Sequence, residues 1–193
     1  MTGRLAGRRI LLLLPVLLLA AGAGAEERLT LPQPEGWRTL DNLVTDRIRS
    51  SEFAIPRGES EADEFDKLTF EWFAHELAPG LDPLDVAEQL AGRIRNACRD
   101  ARDQPVFAGM ENGYPTVVRL LACPERKDGS GGEVLMIKAI QGATGHWILI
   151  RGRPVAAFDR TREVMSADTI RHWTGALRTI SLCDPESEEH PCP

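Results

Sequence analysis

Two pairs of strand-like segments, each joined by a short turn, constrain the fold of this chain more than any other feature. Val106–Met110 and Thr116–Cys123 flank Asn112-Gly113, a dipeptide that tolerates positive φ and is typical of tight hairpins. Val134–Gln141 and His146–Arg151 form the second pair, across a glycine-containing turn. Because short connections make consecutive strands antiparallel, the pattern predicts an antiparallel sheet.

Further strands are predicted in the N-terminal half. Trp37–Val44 and Asp46–Ile55 carry β-type residues, and we expect them to form a hairpin that turns near Leu40 to Asn42. Lys67–Glu76 alternates, which indicates a strand with one buried face. The apolar positions of that face are Leu68, Phe70, Trp72 and Ala74.

Two amphipathic helices complete the predicted fold. Asp82 as N-cap and Pro83 at the first helical position begin a helix that should run to about Arg99. Ser166 can cap a second helix. The buried stripe of this second helix comprises Ile170, Trp173 and Leu177. The predicted architecture is α+β, with an antiparallel sheet of about six or seven strands and both helices packed on one face.

The N-terminus has the order of a secretory signal peptide. Basic residues precede an apolar run, and Ala23-Gly24-Ala25 then places small residues at the −3 and −1 positions. The apolar run is shorter than the ~20 residues that a membrane-spanning helix requires. We therefore predict a signal over residues 1–25, cleavage after Ala25, and a periplasmic or secreted protein without a membrane span. The mature chain, residues 26–193, is predicted to be one domain with a short acidic tail over about 184–193.

The charge balance argues against polyanionic partners. Loss of Arg4, Arg8 and Arg9 with the signal leaves 20 basic and 29 acidic side chains, a net charge of about −9. Such a surface repels nucleic acid and anionic lipid, so neither is predicted as a partner. One local basic cluster is present, and we interpret it as a solvated rim. Its members are Arg151, Arg153, Arg160 and Arg162.

An even number of cysteines in an exported chain predicts two disulfide bonds. They form no C-x-x-C pair and have no histidine at zinc-finger spacing, so no metal site is predicted. The first helix ends near Cys98, and the strand returning from Asn112-Gly113 ends at Cys123, so these two are expected to lie close together. Cys183 and Cys192 then remain to pair across the tail. A bond from Cys183 to the end of the helix stays open as an alternative.

The chain carries no complete catalytic or cofactor motif. The segment Asp128 to Gly132 reads Asp-Gly-Ser-Gly-Gly and resembles the Gly-Asp-Ser-Gly-Gly around the nucleophile of trypsin-like proteases, with the first two residues exchanged. The matching Ala-Ala-His-Cys segment, which would carry the general base, is missing. We interpret Ser130 as part of a flexible loop. Glu71 and His75 are predicted on a strand, where they lie ~13 Å apart and cannot share a metal. Glycine-rich nucleotide-binding loops are absent, so no cofactor is predicted.

Three polar residues interrupt strands that are otherwise apolar: Lys138, Gln141 and Arg151. Buried polar residues are held by hydrogen bonds or contact a ligand. These three could line a small polar cleft on the sheet. The favoured alternative is that they point to solvent from an uncovered face.

Six short segments together resemble a group of small exported proteobacterial proteins with no assigned function. These segments are Pro34–Trp37, Asn96–Cys98, Glu111–Pro115, Leu120–Pro124, Lys138–Gly142 and Ser181–Asp184. The general layout is also similar to the PsbP-like fold, an antiparallel sheet with helices packed on it. The resemblance implies a periplasmic protein and supplies no catalytic residues, and a fold by itself does not give a function.

Three functions are compatible with the sequence. The favoured one is a non-enzymatic accessory, adaptor or ligand-binding module, whose partner is an envelope protein or a small ligand. The second is a hydrolase whose site forms only in three dimensions, which a pocket holding Ser, Cys or His beside an acid would support. The third is an inhibitor or structural partner of an envelope protein, which an exposed apolar patch on the order of several hundred Å² would support.

Overall fold

The computed structural model describes residues 27–31, 36–56, 65–159, 161, 163 and 165–193. The predicted signal peptide lies outside the described residues, as do Arg160 and Arg162 of the predicted basic cluster. In the described ranges no helix combines the length and the apolar character needed to cross a membrane.

The described ranges contain short and long strands, two α-helices and a 3₁₀ helix. In chain order they are β1 Arg28–Leu29, β2 Arg38–Val44, β3 Ile48–Pro56, β4 Phe65–Ala74, the 3₁₀ helix His75–Leu77, α1 Pro83–Ala97, β5 Cys98–Arg99, β6 Arg102–Glu111, β7 Tyr114–Cys123, β8 Glu125–Arg126, β9 Gly132–Gln141, β10 Gly145–Val155, α2 Ala167–Thr179 and β11 Leu182–Cys183. Seven strands form one antiparallel sheet in the order β2-β3-β4-β10-β9-β7-β6. Two short pairs, β1 with β11 and β5 with β8, lie outside it.

The predicted α+β class and the antiparallel sheet of six or seven strands are confirmed, but the helices do not share one face. Helix α1 packs on one side of the central strands and α2 on the other, and we call these sides the α1 face and the α2 face. Strand β9 shows the reason, because every residue from Val134 to Ile140 is buried. A strand without polar alternation is typical of a sheet covered on both sides.

Helix α1 begins where the sequence predicts and ends two residues earlier, at Ala97. Its start is a capping box, in which the Asp82 carboxylate accepts from Asp85 N at 2.8 Å and the Asp85 carboxylate accepts from Asp82 N at 3.3 Å. The apolar stripe of α1 then packs on the odd-numbered residues of β7 and β9. The contacting side chains are Val86, Ala87, Ala91, Val117, Leu121, Leu135 and Ile137.

Helix α2 is capped by Ser166 as predicted, with Ser166 Oγ accepting from Thr169 N at 3.1 Å. Trp173 and Leu177 are buried on the α2 face against Met136 and Leu149. Helix α2 forms hydrogen bonds with β9, and its Trp173 ring stacks under Arg151 of β10. Helix α2 therefore lies over the middle of the sheet and leaves β2 and β3, at the edge, uncovered.

Two of the three predicted hairpin turns differ in outcome, and the third, between β9 and β10, is present. Asn112 and Gly113 adopt φ of 47° and 78°, which confirms the tight β6–β7 turn. The β2–β3 hairpin exists, but its turn lies at Thr45–Arg47 rather than at residues 40–42. Asp41-Asn42 resembles a turn in sequence, yet it follows a β-bulge inside β2, where the register shifts between Thr39 and Asp41.

Both expected disulfide bonds are present. Cys98 and Cys123 are bonded with their Cα atoms 5.5 Å apart, and Cys183 and Cys192 with theirs 4.9 Å apart. The tail closed by the second bond is packed on the β6–β7 turn, because the His190 ring stacks on Tyr114 at 4.1 Å between centroids. The N- and C-terminal parts of the described chain also meet, since β1 pairs with β11.

Candidate functional site

A cavity of about 440 Å³ opens on the α2 face, at the end of β3, β4 and β10 that α2 leaves uncovered. Four rings form its floor and walls, and we call it the aromatic cleft. These rings belong to Phe53, Phe70, Trp72 and Trp147. Its volume and its mainly apolar, aromatic lining are typical of small-molecule binding sites, which measure roughly 300–1,000 Å³.

Strand alternation and register bring the rings together. Phe70 and Trp72 are two residues apart in β4 and therefore lie on the same face of the sheet. Trp147 of β10 is directly opposite Trp72, and Phe53 of β3 is opposite Leu68. Trp72 and Trp147 are distant in sequence, so only the β4–β10 register makes them neighbours.

The rings support one another at tilted and edge-on angles. Phe53 and Phe70 meet edge to face at 5.6 Å between centroids, and Trp72 and Trp147 lie 6.3 Å apart. The Arg49 guanidinium lies over the Trp72 ring, 5.0 Å from its centroid. Ring pairs and cation–π contacts of this kind each stabilise by about 0.5–1.5 kcal/mol, so the walls of the cleft are held in place before any ligand enters.

The N-terminal residues 27–31 form the remaining wall of the aromatic cleft. Glu27 is buried, and its carboxylate accepts a hydrogen bond from Ala143 N at 2.6 Å. Thr30 N donates to Ser181 O at 2.9 Å, which continues the pairing of β1 with β11. This wall is therefore bonded to the body of the protein at both of its ends.

Exposed apolar side chains surround the mouth of the cleft. Val44 and Leu31 line it while 67% and 38% of their surfaces remain exposed. Leu43 and Ile48 are exposed on the opposite face of the same hairpin. The turn end of the β2–β3 hairpin therefore carries exposed apolar side chains on both of its faces.

The N–H groups of two indole rings that line the cleft are buried. The Nε1 atoms of Trp72 and Trp147 are buried, and neither has a hydrogen-bond partner in the described part of the chain. The Trp72 ring edge abuts Gly145, where an added Cβ would lie 2.6 Å from Nε1. Gly145 is thus required for the close approach of β10 to the Trp72 ring.

Lys138, one of the three residues predicted to line a polar cleft or point to solvent, is fully buried. Its ammonium group donates to Leu177 O at 2.9 Å and to Ile180 O at 2.8 Å, and it forms an ion pair with Glu111. It therefore satisfies carbonyls at the C-terminus of α2, where a cation is also favoured by the helix dipole. Burial lowers the pKa of Lys138, and the Glu111 carboxylate opposes this shift.

The other two predicted residues do not join Lys138 in one cleft. Arg151 shares the α2 face with Lys138 but is bonded to Asp66, with Nη2 at 3.0 Å from Oδ2. It is buried, so the interpretation of the basic cluster as a solvated rim is wrong for this residue. Gln141 is half-buried on the α1 face, directly opposite His146 in the register.

Neither the serine motif nor the histidines form a catalytic arrangement in the described residues. Ser130 lies in an exposed turn and donates from Oγ to Asp128 Oδ1 at 2.7 Å. His75 is predicted on a strand but begins the 3₁₀ helix directly after β4, and its ring meets the His146 ring at 4.8 Å between centroids. His146 is fully buried, and burial lowers the pKa of its imidazole. The described ranges hold no cluster of three or more metal-ligating side chains.

The aromatic cleft was not predicted from the sequence. The alternation in β4 predicts that Phe70 and Trp72 are buried, which is confirmed, but it indicates core residues and not a cleft. The sequence does show large aromatic residues on several predicted strands. Which of these rings lie side by side can be stated only when the strand register is known.

Two solved structures match this chain at a distance. LpqN of Mycobacterium tuberculosis, which is involved in cell envelope biogenesis, matches with 12% identity over 83% of each chain and a TM-score of 0.44. A protein of unknown function from Pseudomonas aeruginosa matches with 13% identity over 78% of this chain and 89% of its own, with a TM-score of 0.46. No protein-family model matches the sequence, and no curated protein matches it. Likenesses this distant carry no argument about function.

Proposed function

We propose that this protein is an extracytoplasmic, non-enzymatic module that binds a small apolar ligand in the aromatic cleft. The ligand carries an acyl chain or an aromatic ring as its apolar body. The observation that carries the proposal is the preformed cavity of about 440 Å³ walled by Phe53, Phe70, Trp72 and Trp147. Apolar surface that enters such a cavity gains roughly 25 cal/mol for each Å² removed from water.

The proposed location rests on the N-terminal sequence and on the cysteines. The basic, apolar and small segments of residues 1–25 have the order of a cleavable signal, so the mature chain comprises residues 26–193. Every cysteine is in a disulfide bond, as is typical of proteins outside the reducing cytoplasm. The resemblance of six segments to exported proteobacterial proteins supports the same location.

Calorimetric titration of the purified, disulfide-bonded protein tests the proposal. Dodecanoate serves as the acyl probe and indole as the aromatic probe, so the two arms distinguish the kinds of apolar body. Trp147 is only partly buried, and Trp147→Ala should weaken binding by about tenfold because contact worth ~1.4 kcal/mol is lost. Met110→Ala is the matched control, because Met110 is exposed on β6 at the opposite edge of the sheet.

The outcomes separate the alternatives. Binding of either probe that is weakened by Trp147→Ala and unaffected by Met110→Ala supports the proposal. Absence of binding, or equal binding to both variants, contradicts it and favours the second candidate function, docking to another envelope protein. That second function is supported by the exposed side chains of Val44 at the cleft and of Leu43 and Ile48 on the other face of the same hairpin.

A further inference from the structure

A second cavity, of about 370 Å³, lies on the α2 face beside the start of α2. It is distinct from the aromatic cleft, since Asp66 and Trp72 are six residues apart in β4, a separation of roughly 20 Å. We call it the arginine pocket. Its lining residues are Asp66, Arg151, Arg153, Asp168, Thr169, His172 and Trp173.

Two arginines are fixed side by side in this pocket. Arg151 and Arg153 project from the same face of β10, and both donate through Nε and Nη2 to the Asp66 carboxylate at 2.7–3.3 Å. Their guanidinium groups also stack on the Trp173 ring, at 4.7 Å and 5.2 Å from its centroid. Held by a carboxylate and by a ring, both guanidinium groups are oriented without a ligand.

Among the described residues that line the pocket, the charges leave one cation in excess. Two guanidinium groups share the single carboxylate of Asp66, which is 1% exposed. The other acid in the wall, Asp168, points largely to solvent and forms an ion pair with Arg171. Burial lowers the pKa of Arg151, and although burial alone would raise the pKa of Asp66, Arg153 and Arg151 lower it.

The arginine N–H groups that do not bond to Asp66 are suited to binding an oxyanion. The bonds to Asp66 use the Nε and Nη2 atoms of each arginine, so the Nη1 atoms, with two N–H groups each, stay available for a further acceptor. The positive N-terminal end of the α2 dipole lies in the same wall, where Thr169 is the third helical residue. His172 adds an imidazole one turn further along α2.

We infer that the arginine pocket binds an oxyanion, either a phosphate or a carboxylate group of a small ligand. The site is independent of the aromatic cleft, and the inference does not rest on the proposed function. Paired guanidinium groups match the two oxygens of such an anion, whereas the acidic surface elsewhere on the chain repels it.

Calorimetric titration of the full protein with inorganic phosphate and, separately, with succinate tests this inference. Arg153→Gln is the main variant because the Arg153 side chain is 26% exposed, and it should weaken binding by about tenfold or more. Arg99→Gln is the matched control, since Arg99 is a more exposed arginine that pairs with Glu125, and it should bind as the unaltered protein does.

Asp66→Asn gives a test of opposite sign. Removing the competing carboxylate while keeping a hydrogen-bond acceptor should tighten anion binding severalfold, provided that near-ultraviolet dichroism shows an unchanged fold. Binding of phosphate alone, of succinate alone or of both supports the site and identifies the kind of oxyanion. The inference is overturned if neither anion binds, if Arg153→Gln binds as tightly as Arg99→Gln, or if folded Asp66→Asn binds more weakly.

Discussion

The turn at Gly113 allows backbone strain to be separated from tail packing. Gly113 has a φ of 78°, and an added Cβ would lie 2.6 Å from Cε1 of His190 and 3.1 Å from the Glu189 carbonyl oxygen. Gly113→Ala should therefore strain the backbone and also displace the tail. Gly129 is the matched control, because its φ of 79° is the same while an added Cβ meets nothing within 4 Å.

The expected magnitudes follow from these two environments. Gly129→Ala should destabilise the fold by about 1 kcal/mol, since only the left-handed backbone is strained. Gly113→Ala should destabilise it by about 2–3 kcal/mol, because the displaced tail also loses ring stacking and a hydrogen bond. Those contacts are the stack of His190 on Tyr114 and the bond from His190 Nδ1 to Asn112 O at 2.9 Å.

Urea unfolding of the oxidised variants measures both losses. In a His190→Ala background the ring no longer obstructs the new methyl group, so the further loss caused by Gly113→Ala should fall toward that of Gly129→Ala. Equal losses for Gly113→Ala and Gly129→Ala in the unaltered background would refute the conclusion that the tail packs on this turn.

Three further outcomes are expected. Lys138→Met should destabilise the fold by about 3 kcal/mol in urea unfolding, because it leaves the Glu111 carboxylate unpaired. Adding Glu111→Leu removes that charge and should recover part of the loss. An unchanged stability of Lys138→Met would contradict the role of Lys138 in binding the carbonyls at the end of α2. Burial and the nearby His75 charge hold the pKa of His146 below 6.5, against the opposing effect of Asp82. The unfolded chain then binds more protons, so stability should fall as pH drops below about 6.5, and His146→Leu should reduce this slope. N-terminal sequencing of the exported protein should begin at Glu26, and a retained Met1 would contradict the predicted signal.

Local chemistry made much of the fold predictable. Asn112-Gly113 demands positive φ, Asp82-Pro83 specifies a helix start, and the return of β7 from its turn brings Cys123 back to Cys98. Each of these inferences depends on residues close in sequence or on one hairpin. They therefore needed no knowledge of which side of the sheet a helix covers.

The helix faces and the cleft depended on information that is not local. Helices α1 and α2 are separated by four strands of the sheet along the chain, and nothing in their own periodicity says which face each one covers. The cleft forms only if Trp72 and Trp147 are cross-strand neighbours, and the β4–β10 register places them directly opposite each other. Lys138 resembled a solvent-facing residue because its partners at the end of α2 become visible only after packing.

Magnetic resonance of the indole groups tests the aromatic cleft most directly. The chain has four tryptophans, so a proton–nitrogen correlation spectrum of the labelled protein should give four indole signals. Dodecanoate or indole bound in the cleft should shift the signals of Trp72 and Trp147, whose rings line it. Indole, which has no carboxylate for the arginine pocket, should leave the signal of Trp173 unchanged in the core under α2. Binding that shifts the Trp173 signal but neither Trp72 nor Trp147, or addition of both probes without any shift, would contradict the assignment of this cleft as the ligand site.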